Sequence, residues 1–413
     1  MEKTTDKGEQ MTPPKGYKHT ELGVLPEDWE VVRLGDIGKI VGGGTPSTKK
    51  VEFWSGTIPW ISSSDIDENS VFDISQTRYI TQEAISKSST KPIEPNSILI
   101  VSRVGLGKVA VNQNILCTSQ DIQALTQHKQ NAFFLVYAIK NLVSLACRIN
   151  QGTSIKGFTK EVLSNLCIPL PPLAEQEKIA EILSTWDTQI QNFETLVVEK
   201  QALKKGLCQT LLTAKTRLKG FSGDWEVVRL GDVADFFSGG TPKTTERKYY
   251  GGEIPFIKSA EIYNSTTQEY LTQLGFKESS AKWVKKGDLL YALYGANSGE
   301  VAISKIDGVI NQAILCIKNQ PEVLNTYFLY SVFLEKKEWI TTRFLQGGQG
   351  NLSGKIVQNL QIPLPPLAEQ KKIAEILSGA DNEITLLEQK LESLKSQKRG
   401  LMQNLLNGKV RVK

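Results

Sequence analysis

The chain has 413 residues, 40% hydrophobic and 23% charged, which gives room for more than one domain with a core that needs neither metal nor disulfide. Its net charge of +5 is mild and only hints at an anionic partner. No apolar run reaches the ~18 residues a membrane span needs, and the opening MEKTTDKGEQMTPPKGYK lacks the apolar stretch of a secretory leader, so a cytoplasmic protein with no membrane partner is expected.

Residues 1–19 are polar, carry Pro13, Pro14 and Gly16, and read as a mobile tail. A first globular block follows over 20–169. Inside it, SILIVSRVGLGKVAV (97–111) places a Gly-containing turn between two apolar runs and predicts a hairpin. NAFFLVYAIKNLVSLACRI (131–149) has apolar residues three and four apart and predicts a helix.

At Leu170 the pattern changes. Pro171 and Pro172 end the block, Glu175 and Glu177 suit a helix start, and no further proline occurs before Pro242. Positions Ile179, Leu183, Trp186, Ile190, Phe193, Val197, Lys200, Lys204, Leu207 and Leu211 alternate four and three apart, which predicts a coiled-coil helix over 170–217. A second block, 218–362, repeats the first with a hairpin at DLLYALYGANSGEVAI (288–303) and a helix at NTYFLYSVFLEKKEWITTRF (325–344). A second long helix, 363–413, carries Ile373, Leu377, Ala380, Ile384, Leu387, Leu391, Leu394, Lys398, Leu401 and Leu405 on the same frame.

The chain is therefore one unit written twice. WEVVRLGD occurs at 29–36 and 225–232; IPLPPLAEQEKIAEIL at 168–183 returns as IPLPPLAEQKKIAEIL at 362–377, differing only at Glu177 against Lys371. KKGLCQTLLTAKTRLK (204–219) likewise matches KRGLMQNLLNGKVRVK (398–413). Between these strings the copies diverge, as two related readers of different targets would. A lone helix with one apolar stripe leaves it wet, so the two long helices are expected to pack on each other. Parallel packing needs a return along a rod of ~60 Å, for which the linker 213–224 is short, so an antiparallel pair with the blocks at opposite ends is expected. The fold class is α+β: two similar mixed α/β domains separated by two long helices packed as an antiparallel coiled coil, with internal pseudo-twofold symmetry.

Catalytic constellations are absent from the sequence. Cys117, Cys147, Cys167, Cys208 and Cys316 form no CxxC pair, and His19 and His128 stand alone, which speaks against a metal site. GLGK at 105–108 has Ser102 where a phosphate-binding loop needs its first Gly, and Val109 in place of Ser/Thr. GGGT (42–45) and SGGT (238–241) lack dinucleotide-loop spacing. An amino-methyltransferase needs Asn or Asp before its Pro-Pro pair, and this chain has Leu170 and Leu364. Glu335 and Lys337 lie on a predicted amphipathic helix and read as a solvated face. The basic residues Lys395, Lys398, Arg399, Lys409, Arg411 and Lys413 admit two readings, a favourable helix end or contact with phosphate or a partner.

WEVVRLGD, GGGTP and SGGTP, IPWI and IPFI, and above all the duplicated IPLPPLAEQ-x-KIAEIL resemble the DNA-specificity (S) subunits of bacterial type I restriction-modification enzymes, over nearly the whole chain from Thr20. The resemblance implies that each block is a target recognition domain reading one half of a bipartite, asymmetric sequence in double-stranded DNA. It implies that the helices hold the blocks apart and dock two modification subunits, with restriction subunits as further partners. S-adenosylmethionine, ATP and Mg are then expected on those partners, with no cofactor bound by this chain and no turnover of its own. Half-sites about one helical turn apart, ~34 Å, suit two rigidly spaced heads. A specificity subunit of a fused nuclease-methylase system and a non-catalytic coiled-coil scaffold remain the alternatives.

By residue type, the candidate DNA contacts in the first block are Thr45, Ser47, Lys49, Ser62, Ser63, Arg103, Lys108, Thr153, Ser154 and Lys156. In the second they are Thr241, Lys243, Lys258, Ser259, Asn297, Gln346, Gln349 and Asn351. Arg and Lys suit guanine or phosphate, Asn and Gln adenine, and Ser or Thr either. Trp29 and Trp225 read as core. Glu175, Gln176, Glu369 and Gln370 are open between helix capping and contact with a modification subunit.

Overall fold

The computed structural model describes residues 12–149, 157–344 and 351–412. It divides into two compact units, Met1–Glu194 with Lys390–Lys413, and Thr195–Gln389. In chain order the elements begin with β1 (Tyr17–Thr20), β2 (Gly23–Pro26), β3 (Glu30–Arg33), α1 (Leu34–Ile37), β4 (Lys39–Gly42), β5 (Ile58–Ile61), β6 (Tyr79–Ile80) and α2 (Gln82–Ser86). Then come β7 (Pro92–Ile93), β8 (Ile98–Val101), β9 (Val109–Val111), β10 (Leu116–Thr118), β11 (Ile122–Thr126), α3 (Ala132–Ile149), α4 (Lys160–Asn165), β12 (Cys167–Leu170) and the long α5 (Leu173–Leu211). The series repeats as β13 (Glu226–Arg229), β14 (Ala234–Ser238), β15 (Tyr250–Ile257), β16 (Tyr270–Leu271), α6 (Gln273–Lys277), β17 (Lys282–Val284), β18 (Leu289–Ala292) and β19 (Val301–Ile303). It closes with β20 (Gly308–Ile310), β21 (Ile314–Asn319), α7 (Thr326–Phe344), α8 (Gly354–Gln358), β22 (Gln361–Leu364) and α9 (Leu367–Leu406).

Each unit holds the same two four-stranded sheets, ordered β6-β5-β10-β7 and β4-β11-β8-β9 in the first, β16-β15-β20-β17 and β14-β21-β18-β19 in the second. Both expected hairpins are present: Leu99 faces Ala110 across β8 and β9, and Leu290 faces Ala302 across β18 and β19. β8 reads ILIV and is buried throughout, as a strand covered on both faces must be. The two framework strings of each copy turn out to be strands paired with each other. Val32 lies opposite Ile168 across β3 and β12, and Val228 opposite Ile362 across β13 and β22, which ties the start of each block to its end.

Residues 17–20 belong to this fold and not to the tail expected over 1–19: β1 pairs with β2, and the Tyr17 hydroxyl donates to the Gly408 carbonyl at 3.0 Å. Of the rest of that expectation, residues 12–16 are described, Pro14 and Gly16 accepting from the Tyr17 and Glu27 N–H groups at 3.0 Å, and residues 1–11 lie outside the described residues.

The expected antiparallel helix packing is seen inside each unit. In the first, Glu175, Asp187 and Glu194 ascend the chain while their partners Arg411 (2.8 Å), Lys398 and Lys395 (2.7 Å) descend it. In the second, Lys200, Lys204 and Arg217 meet Glu383 (2.6 Å), Asp381 and Glu369 (2.8 Å) in the same sense. Ile179 and Leu183 share a core with Leu405 and Leu406, as Leu211 and Leu212 do with Ile373 and Leu377. The lysines at heptad positions, Lys200, Lys204 and Lys398, pair with carboxylates while their stems cover apolar surface. Of the basic C-terminal run, Lys395, Lys398 and Arg411 are thus committed to carboxylates of their own unit.

Candidate nucleic-acid interface

Parallel pairing decides where the candidate contacts gather. β5 and β10 run side by side with Thr118 opposite Ile61, so the loops that follow them leave from the same end. The Ser119 N–H donates to the Ile61 carbonyl at 2.8 Å. The GGGTP turn closes on that end, Gly44 N–H donating to the Thr118 carbonyl at 2.8 Å, and the hairpin joins it, Ser102 N–H donating to the Asp121 carbonyl at 2.7 Å. Phe158 N–H then bonds the Ser102 carbonyl at 2.8 Å. Five segments, 43–45, 62–66, 102–108, 119–121 and 157–158, form one edge.

The second unit builds the same edge. Asn311 N–H donates to the Ile257 carbonyl (3.4 Å), Gly240 N–H to Ile310 (3.2 Å), Leu293 N–H to Ala313 (2.8 Å) and Leu352 N–H to Leu293 (2.7 Å). The paired glycines are required by packing. A Cβ on Gly43 would strike Thr118 and Ser119, and one on Gly239 or Gly240 would strike Ile310 or Ser280.

Most described candidates fall on these edges. Thr45 donates its hydroxyl to Gln120 Oε1, and Thr241 to Gln312 Oε1, both at 2.5 Å. Ser62 accepts from Arg78 at 2.8 Å, Arg78 also binds Asp65, and its guanidinium lies 4.6 Å over the Trp60 ring. Lys108 donates to the carbonyls of Ser63 (3.3 Å) and Ile66 (2.8 Å). Lys258 pairs with Glu269 at 2.8 Å and lines a shallow groove with Thr241, Arg247 and Asn311. Ser259 follows Lys258 in the same loop, and Asn351 bridges to Tyr294 at the hairpin. Arg103 and Asn297 sit in the two hairpin loops; Ser47, Lys49 and Lys243 lie on exposed chain after the glycine turns. Thr153, Ser154, Lys156, Gln346 and Gln349 lie outside the described residues.

Arg78, Gln120, Arg247, Asn311 and Gln312 were missed by sequence reasoning. The recurrence of Gln two residues after β10 and after β20 was a usable signal; nothing local marked Arg78.

The four residues at the repeated helix start are turned inward. Glu175, Gln176, Glu369 and Gln370 are all buried. Gln176 accepts the Asn131 N–H at 3.1 Å and donates to the Pro171 carbonyl at 2.8 Å; Gln370 does the same with Asn325 (2.8 Å) and Pro365 (2.8 Å). Asn131 and Asn325 in turn cap α3 and α7, accepting from Phe134 and Phe328. Glu175 accepts from the Trp29 indole N–H (2.9 Å), Arg411 and Val412 N–H, while Glu369 accepts from Trp225 (3.0 Å) and Arg217. Burial pushes the Glu175 carboxyl up, and the bonds from Arg411, Trp29 and Val412 outweigh it and hold it below the ordinary carboxylate range. Trp29 is fully buried, as expected of core, and Trp225 is half-buried.

The described residues contain no cluster able to hold a metal ion, and no helix long and apolar enough to cross a membrane. The family model of the type I restriction modification DNA specificity domain matches residues 26–200 and again 222–396. The chain belongs to this family and carries two copies of its domain. The MjaIX type I restriction enzyme specificity subunit of Methanocaldococcus jannaschii is 26% identical over 96% of both chains. The EcoR124I/EcoR124II specificity subunit of Escherichia coli is 40% identical over 42% of this chain and 44% of its own. Among solved structures, the S subunit of a type I restriction-modification system from M. genitalium superposes with a TM-score of 0.61 at 17% identity, covering 92% of this chain and 96% of that one.

Proposed function

We propose that this chain is the non-catalytic DNA-specificity subunit of a type I restriction-modification complex, each loop edge reading one half of a bipartite target in double-stranded DNA. The observation that carries the reading is the recurrence, in both family-matched copies, of one five-segment edge on a common frame with different side chains. The recognition domains are taken as residues 20–169 and 218–362, with the helices 170–217 and 363–413 setting the unread gap. Two modification subunits and the restriction subunits are the partners, working in the cytoplasm. S-adenosylmethionine, ATP and Mg belong on those partners.

Because Glu175, Gln176, Glu369 and Gln370 are buried, the partner surface is better sought on exposed apolar positions of the helices such as Val198, Leu203 and Leu386. The test is methylome sequencing of a host without other methylases that expresses this chain with its modification subunit. The expected result is a bipartite methyl-adenine motif that disappears without this chain, and of which a swap of residues 218–361 alters one half only. A stable complex that adds no methylation would overturn the reading and favour the scaffold alternative.

A further inference from the structure

Equivalent positions on the two edges mostly carry different chemistry. The Trp60 N–H bonds the Arg78 carbonyl and the Phe256 N–H the Glu269 carbonyl, so Arg78 and Glu269 occupy the same place with opposite charge. Ser62 of one loop is Lys258 of the other, and in each the main-chain N–H donates to the acid three residues on, Ser62 to Asp65 at 2.7 Å and Lys258 to Glu261 at 3.4 Å. Against this divergence one pair is kept: Thr45 with Gln120, and Thr241 with Gln312. Both glutamines are exposed, and both sit on short loops pinned at main-chain level.

We propose that Gln120 and Gln312 each read a base edge in the half-site of their own head, held in reading position by Thr45 and Thr241. The inference rests on the DNA-reading function proposed above and names residues within it. An exposed glutamine ordinarily rotates and flips, presenting oxygen or nitrogen indifferently. A threonine hydroxyl bonded to the amide restrains that rotation, and in the geometry seen it donates to Oε1. What remains outward is one acceptor lone pair on Oε1 beside the Nε2 donors. That side-by-side acceptor and donor complements the N6 and N7 edge of adenine. The loop beneath is rigid: the neighbouring Ser119 and Asn311 are tied to Ile61 and Ile257, and the Gln312 carbonyl also accepts from the Tyr294 hydroxyl. A reading group on a pinned loop loses little freedom when it binds. Thr45 and Thr241, whose hydroxyls are already committed, are positioning residues.

The experiment uses the full-length chain assembled with its modification subunits, a duplex library randomised across the target, and sequencing of the bound fraction. Gln312→Ala is expected to relax one position in one half of the motif, with discrimination there falling about tenfold to a hundredfold, and Gln120→Ala one position in the other half. Thr241→Val is expected to relax the same position as Gln312→Ala, and Thr241→Ser to restore it, which a merely structural link would not do. Uniform weakening with an unchanged motif, the mark of a phosphate contact or a loop brace, overturns the inference, as does a motif indifferent to both glutamines. A wild-type complex that selects no motif overturns the function and the inference together.

Discussion

At the foot of the β8–β9 hairpin the first unit carries Lys108; at the same place before β19 the second carries Glu300. Lys108 reaches the carbonyls of Ser63 and Ile66, whereas Glu300 accepts from Tyr263 and from Lys337 at 2.5 Å. Both latch the hairpin foot, the first to the loop after β5 and the second to the loop after β15 and to α7, with charges of opposite sign. The helix-start clamps behave in the contrary way. Trp29–Glu175–Arg411 and Trp225–Glu369–Arg217 use the same residue types in the same roles, although one arginine comes from the interblock linker and the other from the end of the chain. A latch on the exposed edge needs only local neutralisation and can invert. A clamp under a buried carboxylate cannot, since that charge would be left without its donors.

The clamps give the largest effect with which to break this comparison. Glu175→Ala is expected to destabilise the first unit by about 3 kcal/mol, because it strands Arg411 and the Trp29 N–H around a buried site. Protection of amides 29–34 from hydrogen exchange reports it. Glu369→Ala should cost the second unit less, since Trp225 is only half-buried. Equal or reversed losses would show that the clamps are not the common support of the two copies.

Next in size is a backbone difference just after the long helices. Gly408 has φ of 64°, and the equivalent position of the first helix is Ala214 at 58°. A Cβ on Gly408 would lie 2.5 Å from Pro26 Cδ. Gly408→Ala is therefore expected to cost about 2 kcal/mol through left-handed strain and overlap, while Ala214→Gly should stabilise by roughly 1 kcal/mol. Urea unfolding of each variant checks both signs. The Tyr137–Asp187–Lys398 and Tyr327–Asp381–Lys204 sets sharpen the point further: the tyrosines come from different turns of α3 and α7, yet each hydroxyl reaches the equivalent aspartate. Tyr137→Phe and Tyr327→Phe should each cost about 1 kcal/mol in the same measurement.

The repeats were legible because near-identical strings recurring 194 to 196 residues apart need no physics to find, and the long helices because Ile179 to Leu211 kept a heptad without interruption. The pairing of WEVVRLGD with IPLP was not, since strand partners more than a hundred residues apart leave no local trace. Glu175 and Glu369 read as polar helix-start residues open to a partner. Only the fold reveals that Arg411 and Arg217 arrive from distant segments to bury them. The loop candidates were recognisable by type, but their convergence depends on the parallel pairing of β5 with β10, which residue type cannot signal. Gln120 and Gln312 escaped because a single Gln in a loop is common until its threonine partner is seen.

The smallest expected effect separates the two latches by pH. Burial pushes the Glu300 carboxyl up, but the bonds from Lys337 and Tyr263 outweigh it and hold it below its ordinary 4.5. A carboxylate depressed in the folded state contributes stability that is complete above its unfolded value and is lost as pH falls through the lower, folded one. The contribution is modest, below about 1 kcal/mol, because the pair is partly exposed. The Lys108 latch rests on two backbone carbonyls and contains no carboxylate. Between pH 6 and pH 3, exchange protection corrected for intrinsic rates should fall at residues 293–301 and hold at 102–109, and Lys337→Ala should reduce the difference. If both hairpins lose protection together, the inverted latches are incidental, and the hairpins are held by their strands alone.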